Sequence, residues 1–459
     1  MKKLFFGAVA ALLLLVTGCS SGGSGGCNVK GGTDLAAPTT FSWPKFRADK
    51  LNTGRSDADL HGSTGDGRLI FPPAGESIGA IATTPILGTA SVCSISGRSC
   101  ASRPCDAEDG SCMEEDRIFL GSTDGDVYVL NRNGERAQVA QADSNGNLVR
   151  DDDGNLIIQD VEINNQSAIT SSPLYTEDQT LFIGAGNGTL AQYMTDGTLV
   201  RVSTVGGFIS ASPNIGSDGT VYVTSQAGVF IGICANGAAR FSLAVTSSQS
   251  SVAVIDQDDD RTIIAGGDSG QVRAVDIQGR ELWSFFASAP VLAAPVVDQA
   301  GDQVFVADSA GRVFAVDVED GQSRDFLFQA GSTISASPAL GRDGEGSVLY
   351  VAAEDGALYA LDRDTGDVVW RFDAEGTIRS SPLVATGGDD DIVVFGTDDG
   401  LVYAVEDVDD SGGSRTPQVL WIFDSGLPIG QASPAIAEDG TIYIGAQGSG
   451  TTGALFAIG

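Results

Sequence analysis

One histidine, His61, stands in 459 residues. That scarcity excludes multi-histidine zinc sites and HExxH metalloproteases, and any triad built on imidazole would have to use His61. Lysine is nearly as scarce. All five (Lys2, Lys3, Lys30, Lys45, Lys50) fall in the first fifty residues, and beyond them arginine is the only strong cation. With 26 Lys+Arg against 60 Asp+Glu, the formal charge of −34 excludes electrostatic binding to nucleic acid, which needs basic contacts to phosphate. Hydrophobic residues still make up 42% of the chain, so it can bury a core and is not globally disordered. At about 150 residues per domain, the length suggests about three domains. Internal repeats would overturn that count.

Long apolar runs are also lacking. The longest, Leu4 to Val16, has 13 residues, too few to span a bilayer as a helix and suited to a signal-peptide core behind the basic Lys2 and Lys3. It ends in Val16-Thr17-Gly18-Cys19, which resembles a bacterial lipobox. Small residues there admit the peptidase, and the Cys19 thiol would carry the acyl (palmitate-type) anchor. Ser20 follows where an Asp would favour the inner membrane, so the resemblance to Gram-negative lipoproteins implies the outer membrane, at its periplasmic face or the cell surface. Residues 1–18 are therefore expected to be a signal peptide, 19–40 a flexible Gly/Ser-rich tether, and 41–459 the folded domain.

What is abundant is glycine, with 61 residues, and a recurring phrase: Ile or Leu, small residues, then usually Ser-Pro. It ends at Pro85, Pro173, Pro213, Val252, Pro295, Pro338, Pro382 and Pro434, with spacings of 88, 40, 39, 43, 43, 44 and 52. A period of about 40–45 residues is that of a four-stranded propeller blade. Within each period, apolar-alternating runs such as SVLYVAA, ALYALD and VVWRF are separated by Asp-Gly or Thr-Gly turns. The expected fold is all-β: one eight-bladed propeller of four-stranded antiparallel blades. The chain stops after ALFAI, the third strand of the eighth unit. Its fourth strand must come from RLIF, Arg68–Phe71, closing the ring with an N-terminal strand.

In the sixth unit Ala360, Asp362, Gly366 and Trp370 match the Ala-Asp-Gly-Trp docking pattern of PQQ-type propellers. The fourth unit has Ala274, Asp276, Gly279 and Trp283, one residue short before the glycine. The fifth keeps Ala315, Asp317 and Gly321 without a Trp, and the seventh keeps Trp421 after an insertion. Units one to three lack the Trp, so other side chains must pack there. Trp43–Ser56, WPKFRADKLNTGRS, is similar to the opening segment of many such proteins. Over residues 41–459 the chain thus resembles the PQQ-type (quinoprotein-like) propeller family, whose members include quinoprotein dehydrogenases and cofactor-free BamB-like lipoproteins. The dehydrogenases usually carry adjacent cysteines over the quinone and often a CxxCH haem site. Here no two cysteines are adjacent, no CxxC precedes His61, and Trp283, Trp370 and Trp421 all sit at docking positions. The resemblance therefore implies no catalytic residue, metal or cofactor.

Cys93, Cys100, Cys105 and Cys112 crowd an insertion at about 88–117. In an exported chain they are candidates for two disulfides, with three connectivities open. A four-cysteine zinc site is the rival, but of the gaps of six, four and six residues only the middle one suits it. Cys27 and Cys234 are left over, and Cys234 reads as a small buried apolar residue. Asp-rich turns at Asp143-x-Asn145-x-Asn147, Asp256-x-Asp258-x-Asp260 and Asp407-x-Asp409-Asp410 could wrap calcium, but none is a full calcium loop and solvated acidic turns explain them. Insertions at about 88–117, 132–155 and Glu406–Gln418 follow first or third strands of units one and seven, and so are expected on one face and in one sector. The resulting expectation is a non-enzymatic, lipid-anchored scaffold that binds a protein partner at the outer membrane, in the manner of BamB-like assembly factors. The other classes are a quinone- or metal-dependent oxidoreductase and a surface adhesion or carbohydrate-binding module.

Overall fold

Each repeat folds into an antiparallel sheet whose four strands run outward in chain order. Blade 6 is representative: Ala339–Leu340, Val348–Ala352, Ala357–Asp362 and Val368–Asp373 pair in succession. The structure is a computed structural model that describes residues 49–459 apart from 75, 94–111, 141–157, 177, 258–259, 343–346, 387, 389, 410–413 and 449–452. Seven sheets have four strands and one has five; these eight are the blades, and a further two-stranded ribbon leaves blade 1. The three domains suggested by length are one ring. Among the described residues there are only strands and turns, and no helix is long and apolar enough to cross a membrane.

Burial within a blade follows from its neighbours. Inner and middle strands have a blade against both faces, so Val348–Ala352 is buried throughout and its sequence is a continuous apolar run. The outer strand Val368–Asp373 alternates, with Trp370 buried between exposed Val369 and Arg371. Asp-Gly turns join the strands: Gly356 takes φ +84°, open to glycine at little cost, and Asp355 caps the turn by accepting the Ala357 N–H at 3.2 Å.

The ring closes as the sequence requires. Gly67–Phe71 pairs antiparallel with Gly453–Ile458, placing Gly67 opposite Ile458 and Leu69 opposite Phe456. It supplies the outer strand of blade 8, whose other strands are Ala435–Ile436, Ile442–Gln447 and Gly453–Ile458.

The recurring Ser-Pro phrase ties successive blades together. The Ser172 hydroxyl accepts the Thr84 N–H at 2.9 Å, Ser212 that of Ser172 at 3.0 Å, and Ser251 that of Ser212 at 2.8 Å. The series resumes with Ser337 accepting from Ala294 at 2.9 Å, Ser381 from Ser337 at 2.9 Å and Ser433 from Ser381 at 3.0 Å. Each hydroxyl thus satisfies a buried main-chain donor of the preceding blade, which would otherwise carry a desolvation penalty. Between blades 4 and 5, where Ala294 lacks a hydroxyl, Ser250 Oγ instead donates to the Ala293 carbonyl at 2.9 Å.

Upstream of the closing strand, residues 49–60 form an arm along the innermost edges of the blades. Carbonyls of Lys50, Leu51, Thr53 and Gly54 accept N–H groups of Val254, Val297, Leu340 and Val384, one from each of blades 4 to 7. Asn52 is buried, and its amide donates to Val252 O at 3.1 Å and Pro295 O at 3.0 Å, joining blades 4 and 5. Arg55–Ser56 then adds in parallel to Leu383–Ala385, making the fifth strand of blade 7.

Candidate interaction site

The seams between blades show what the four-residue pattern does. Ala360 stands directly opposite Trp370, as Ala274 does opposite Trp283 and Ala404 opposite Trp421, so a methyl group leaves room for each indole. Asp362 Oδ1 accepts the N–H groups of Asp364 and Thr365, fixing the turn that presents Gly366. The indole of Trp283 covers Gly321 of the next blade so closely that a Cβ there would lie 2.8 Å from the ring, and Trp421 covers Gly65 at 2.7 Å. Trp283 Nε1 also donates to Val318 O at 2.6 Å.

Where the pattern lacks Trp, other side chains take the place. Phe326 of blade 5 packs on Gly366, Phe241 of blade 3 on Gly279, and the Arg201 side chain of blade 2 on Gly237. Trp370 itself points at the blade 7 insertion, donating from Nε1 to Asp407 Oδ1 at 2.7 Å. The Tyr350 hydroxyl and Arg415 reach Asp407 Oδ2 at 2.7 and 3.1 Å. Burial pushes the Asp407 carboxyl upward against these donors and the nearby Arg415 charge. Asp407 is therefore a core residue of the blade 6–7 seam. Asp256, from a second Asp-rich turn, is engaged by Lys50 at 2.7 Å and by Arg261. The Asp143 turn, Asp258 and Asp410 lie outside the described residues.

The insertions leave from one end of the ring, because first-to-second and third-to-fourth connections of an antiparallel blade share an end. They are extensions of the blade hairpins. In blade 1 the strands Ile86–Cys93 and Cys112–Gly121 stay in register to Cys93 opposite Cys112, so the part expected as a loop from 88 begins beyond Cys93. Cys100 and Cys105 lie outside the described residues, as do Cys19 and Cys27. After the third strand of blade 1, Gln138–Ala140 and Ile158–Asp160 form the two-stranded ribbon. In blade 7 the pairing of Leu401–Asp409 with Arg415–Asp424 runs out to Asp409 opposite Arg415. Cys234, expected as a simple apolar residue, is buried but is a disulfide half.

Two sets of ion pairs lie at the bases of these hairpins, one tying the arm to blade 7 and the other tying blade 8 to blade 1. His61 at the end of the arm sets Nε2 3.0 Å from Glu406 of blade 7 and Nδ1 2.7 Å from Asp59. Hydrogen bonding to Asp59, and the charges of Asp59 and Glu406, raise the imidazole above its ordinary value despite some burial. In blade 8, Asp439 faces Arg132 of blade 1 at 2.6 Å, and Arg132 also holds Asp116 at the base of the cysteine-bearing hairpin. Burial works against the Asp439 charge, but the Thr441 hydrogen bonds and Arg132 hold its carboxyl below the usual range. The turn from Asn131 to Arg136 separates two hollows. One, of about 480 Å³, is lined by Arg68, Asp439 and Tyr443, whose hydroxyl burial pushes up to about 12. The other, of about 700 Å³, is lined by Phe71, Arg117, Arg136 and Asp160.

The sequence of this ring matches one family, described as outer membrane protein assembly factor BamB, over residues 188–337 and 329–458. The chain belongs to that family. BamB from Moraxella catarrhalis is 17% identical, with 82% of this chain and 98% of that chain covered at a TM-score of 0.53. The quinohemoprotein alcohol dehydrogenase from Comamonas testosteroni is 12% identical, with 92% and 81% covered at a TM-score of 0.62. The C-terminal WD40 domain of Sif2 is 13% identical, with 86% and 98% covered at 0.57. At such identities these likenesses concern the fold alone. No curated protein matches the chain in sequence. In this chain a Phe or Arg side chain covers the docking glycine of blades 3, 4 and 6.

Two parts of the site escaped the sequence reading. The arm holds the ring through main-chain carbonyls, which no residue pattern advertises; the WPKFRADKLNTGRS segment was the only signal, and it pointed to family. The pairs His61–Glu406 and Arg132–Asp439 join residues far apart in the chain, and only ring closure brings them together.

Proposed function

We propose that this protein is a non-enzymatic scaffold, anchored by lipid on Cys19 after removal of residues 1–18, that binds a protein partner at the outer membrane in the course of outer-membrane protein assembly. The tether over 19–40 gives the ring reach, and the domain over 41–459 presents the sector of blades 7, 8 and 1 to the partner. The observation that supports this reading is that the described bases of the three insertions are extended strand pairs of blades 7 and 1, with Glu406 paired to His61 of the arm and Asp439–Arg132–Asp116 joining blade 8 to blade 1. Extended hairpins on a rigid ring are suited to recognition. Family membership supports assembly as the setting. The indoles of Trp283, Trp370 and Trp421, with Ala360, Asp362 and Gly366, serve blade docking, which leaves them no part in holding a quinone.

The test is affinity capture of the lipidated protein from its own outer membrane, in parallel with a variant whose blade 1 hairpin is cut back to a short turn between Ser91 and Glu114, which face each other on paired strands. Recovery of barrel-assembly proteins by the wild type, reduced at least tenfold for the variant, is the expected result. Recovery of a glycan, or quinone absorbance in the purified protein, would replace this reading with the adhesion or oxidoreductase one.

A further inference from the structure

Asp391 and Asp407 stand directly opposite each other on paired strands of blade 7, Asp391–Gly396 and Leu401–Asp409. Their side chains are 4% and 0% exposed. Like charges facing each other on one sheet face repel, and burial strips away the water that would screen them. One hydroxyl joins the two. Tyr350 of blade 6, itself fully buried, sets its oxygen 2.7 Å from Asp407 Oδ2 and 3.1 Å from Asp391 Oδ2. Burial and the two neighbouring carboxyls push the Tyr350 hydroxyl well above its ordinary value, so it keeps its hydrogen. A phenol has one hydrogen to donate. The shorter contact, to Asp407, takes it. The contact to Asp391 then sets two oxygens 3.1 Å apart and requires a hydrogen of its own.

The surroundings do not remove that requirement. Asp407 is held further by Trp370 Nε1 at 2.7 Å and Arg415 at 3.1 Å. Asp391 Oδ2 accepts the Arg342 main-chain N–H at 3.0 Å, but the Arg342 guanidinium donates to the carbonyls of Thr386 and Gly388 at 3.2 and 2.7 Å. Its Nε stays 3.6 Å from Asp391 Oδ1, and that buried oxygen accepts no hydrogen bond. An unserved oxygen costs more on a carboxylate than on a neutral acid. Of the other charged groups near by, Asp390 and Asp409 are acids as well, joined by the Asp409 N–H to Asp390 Oδ1 at 3.4 Å, and Glu406 pairs with His61.

We infer that Asp391, Tyr350 and Asp407 hold one proton between them at neutral pH, and that this proton latches the blade 7 hairpin to blade 6. Tyr350 donates to Asp407, and the shared proton fills the contact to Asp391; the proton belongs to the pair of carboxyls as a unit. Its release to solvent as pH rises leaves two facing carboxylates in the seam, beneath the extended pairing that ends with Asp409 opposite Arg415. The folded chain keeps a proton that unfolded aspartates give up near about 3.9, so stability falls as pH rises from there to the point at which the pair lets go. The hairpin is firmest in mild acid and loosens towards base.

The test is infrared spectroscopy of the intact protein at neutral pH, where a protonated carboxyl shows a C=O band that a carboxylate lacks. Such a band in the wild type, absent from Asp391→Asn, is expected. No protonated-carboxyl band in the wild type, or a band undiminished in both Asp391→Asn and Asp407→Asn, overturns the inference. The folding constant of the wild type relative to Asp391→Asn should fall about tenfold per pH unit while only the folded state holds the proton; a ratio independent of pH contradicts it. Amide exchange tests the latch. Protection across Leu401–Asp409 and Arg415–Asp424, corrected for intrinsic rates, should drop as the band disappears, and Asp391→Asn should lack this drop, which separates it from the titration of His61 on Glu406. Equal protection before and after the band disappears denies the latch.

Discussion

Gly321 takes φ +73° with the Trp283 ring closed over it, so any side chain there meets both backbone strain and an indole. Gly321→Ala should lower stability by about 2 kcal/mol, measured by urea unfolding; a change below about 0.5 kcal/mol would mean the seam accommodates a methyl group. His61 gives a pH signature. Its folded value is raised, so its contribution is complete below the ordinary value near 6.5 and is lost as pH rises through the raised one. Asp59 is held low by hydrogen bonds from His61, so its share fails only as pH falls through that depressed value. The difference in melting temperature between wild type and His61→Gln should therefore be largest near pH 6 and shrink towards pH 9. A difference independent of pH would deny the ion pair. At this scale the tryptophans were legible, because an indole at a fixed offset from Gly is rare. Phe326 and Phe241 were not, because a phenylalanine in an outer strand looks like any core residue until its neighbour's glycine is in place.

The strand elements were legible from turns and alternation, and the middle strands from unbroken apolar runs. The Ser-Pro phrase was visible as a period without its purpose, since the hydroxyl of one repeat serves the main chain of the one before. Ser212→Ala would leave the buried Ser172 N–H without its acceptor. It should destabilise by about 1–3 kcal/mol, whereas the exposed Ser269→Ala should be neutral; calorimetry on the pair checks both. Equal melting temperatures would show that the serine links carry no stability. The arm is the element least visible in sequence. It contributes few side chains and works by completing hydrogen bonds that inner edges would otherwise leave open.

As a whole, the molecule is a ring closed by the strand Gly67–Phe71 and braced by two further devices, the serine hydroxyls within blades 1 to 4 and 5 to 8 and the arm across blades 4 to 7. Repeat counting sufficed for the first of these. The rest depends on which blades become neighbours on closure, and the same geometry draws the insertions of blades 1 and 7 to either side of blade 8. The most direct test of that face as the binding surface is site-specific photocrosslinking in intact cells, comparing Glu135 and Thr416 in the sector with Asn187 and Ser269 in turns at the other end of the ring. The account predicts adducts to an outer-membrane assembly protein from Glu135 and Thr416, and none from Asn187 or Ser269. Adducts confined to Asn187 and Ser269 would contradict it.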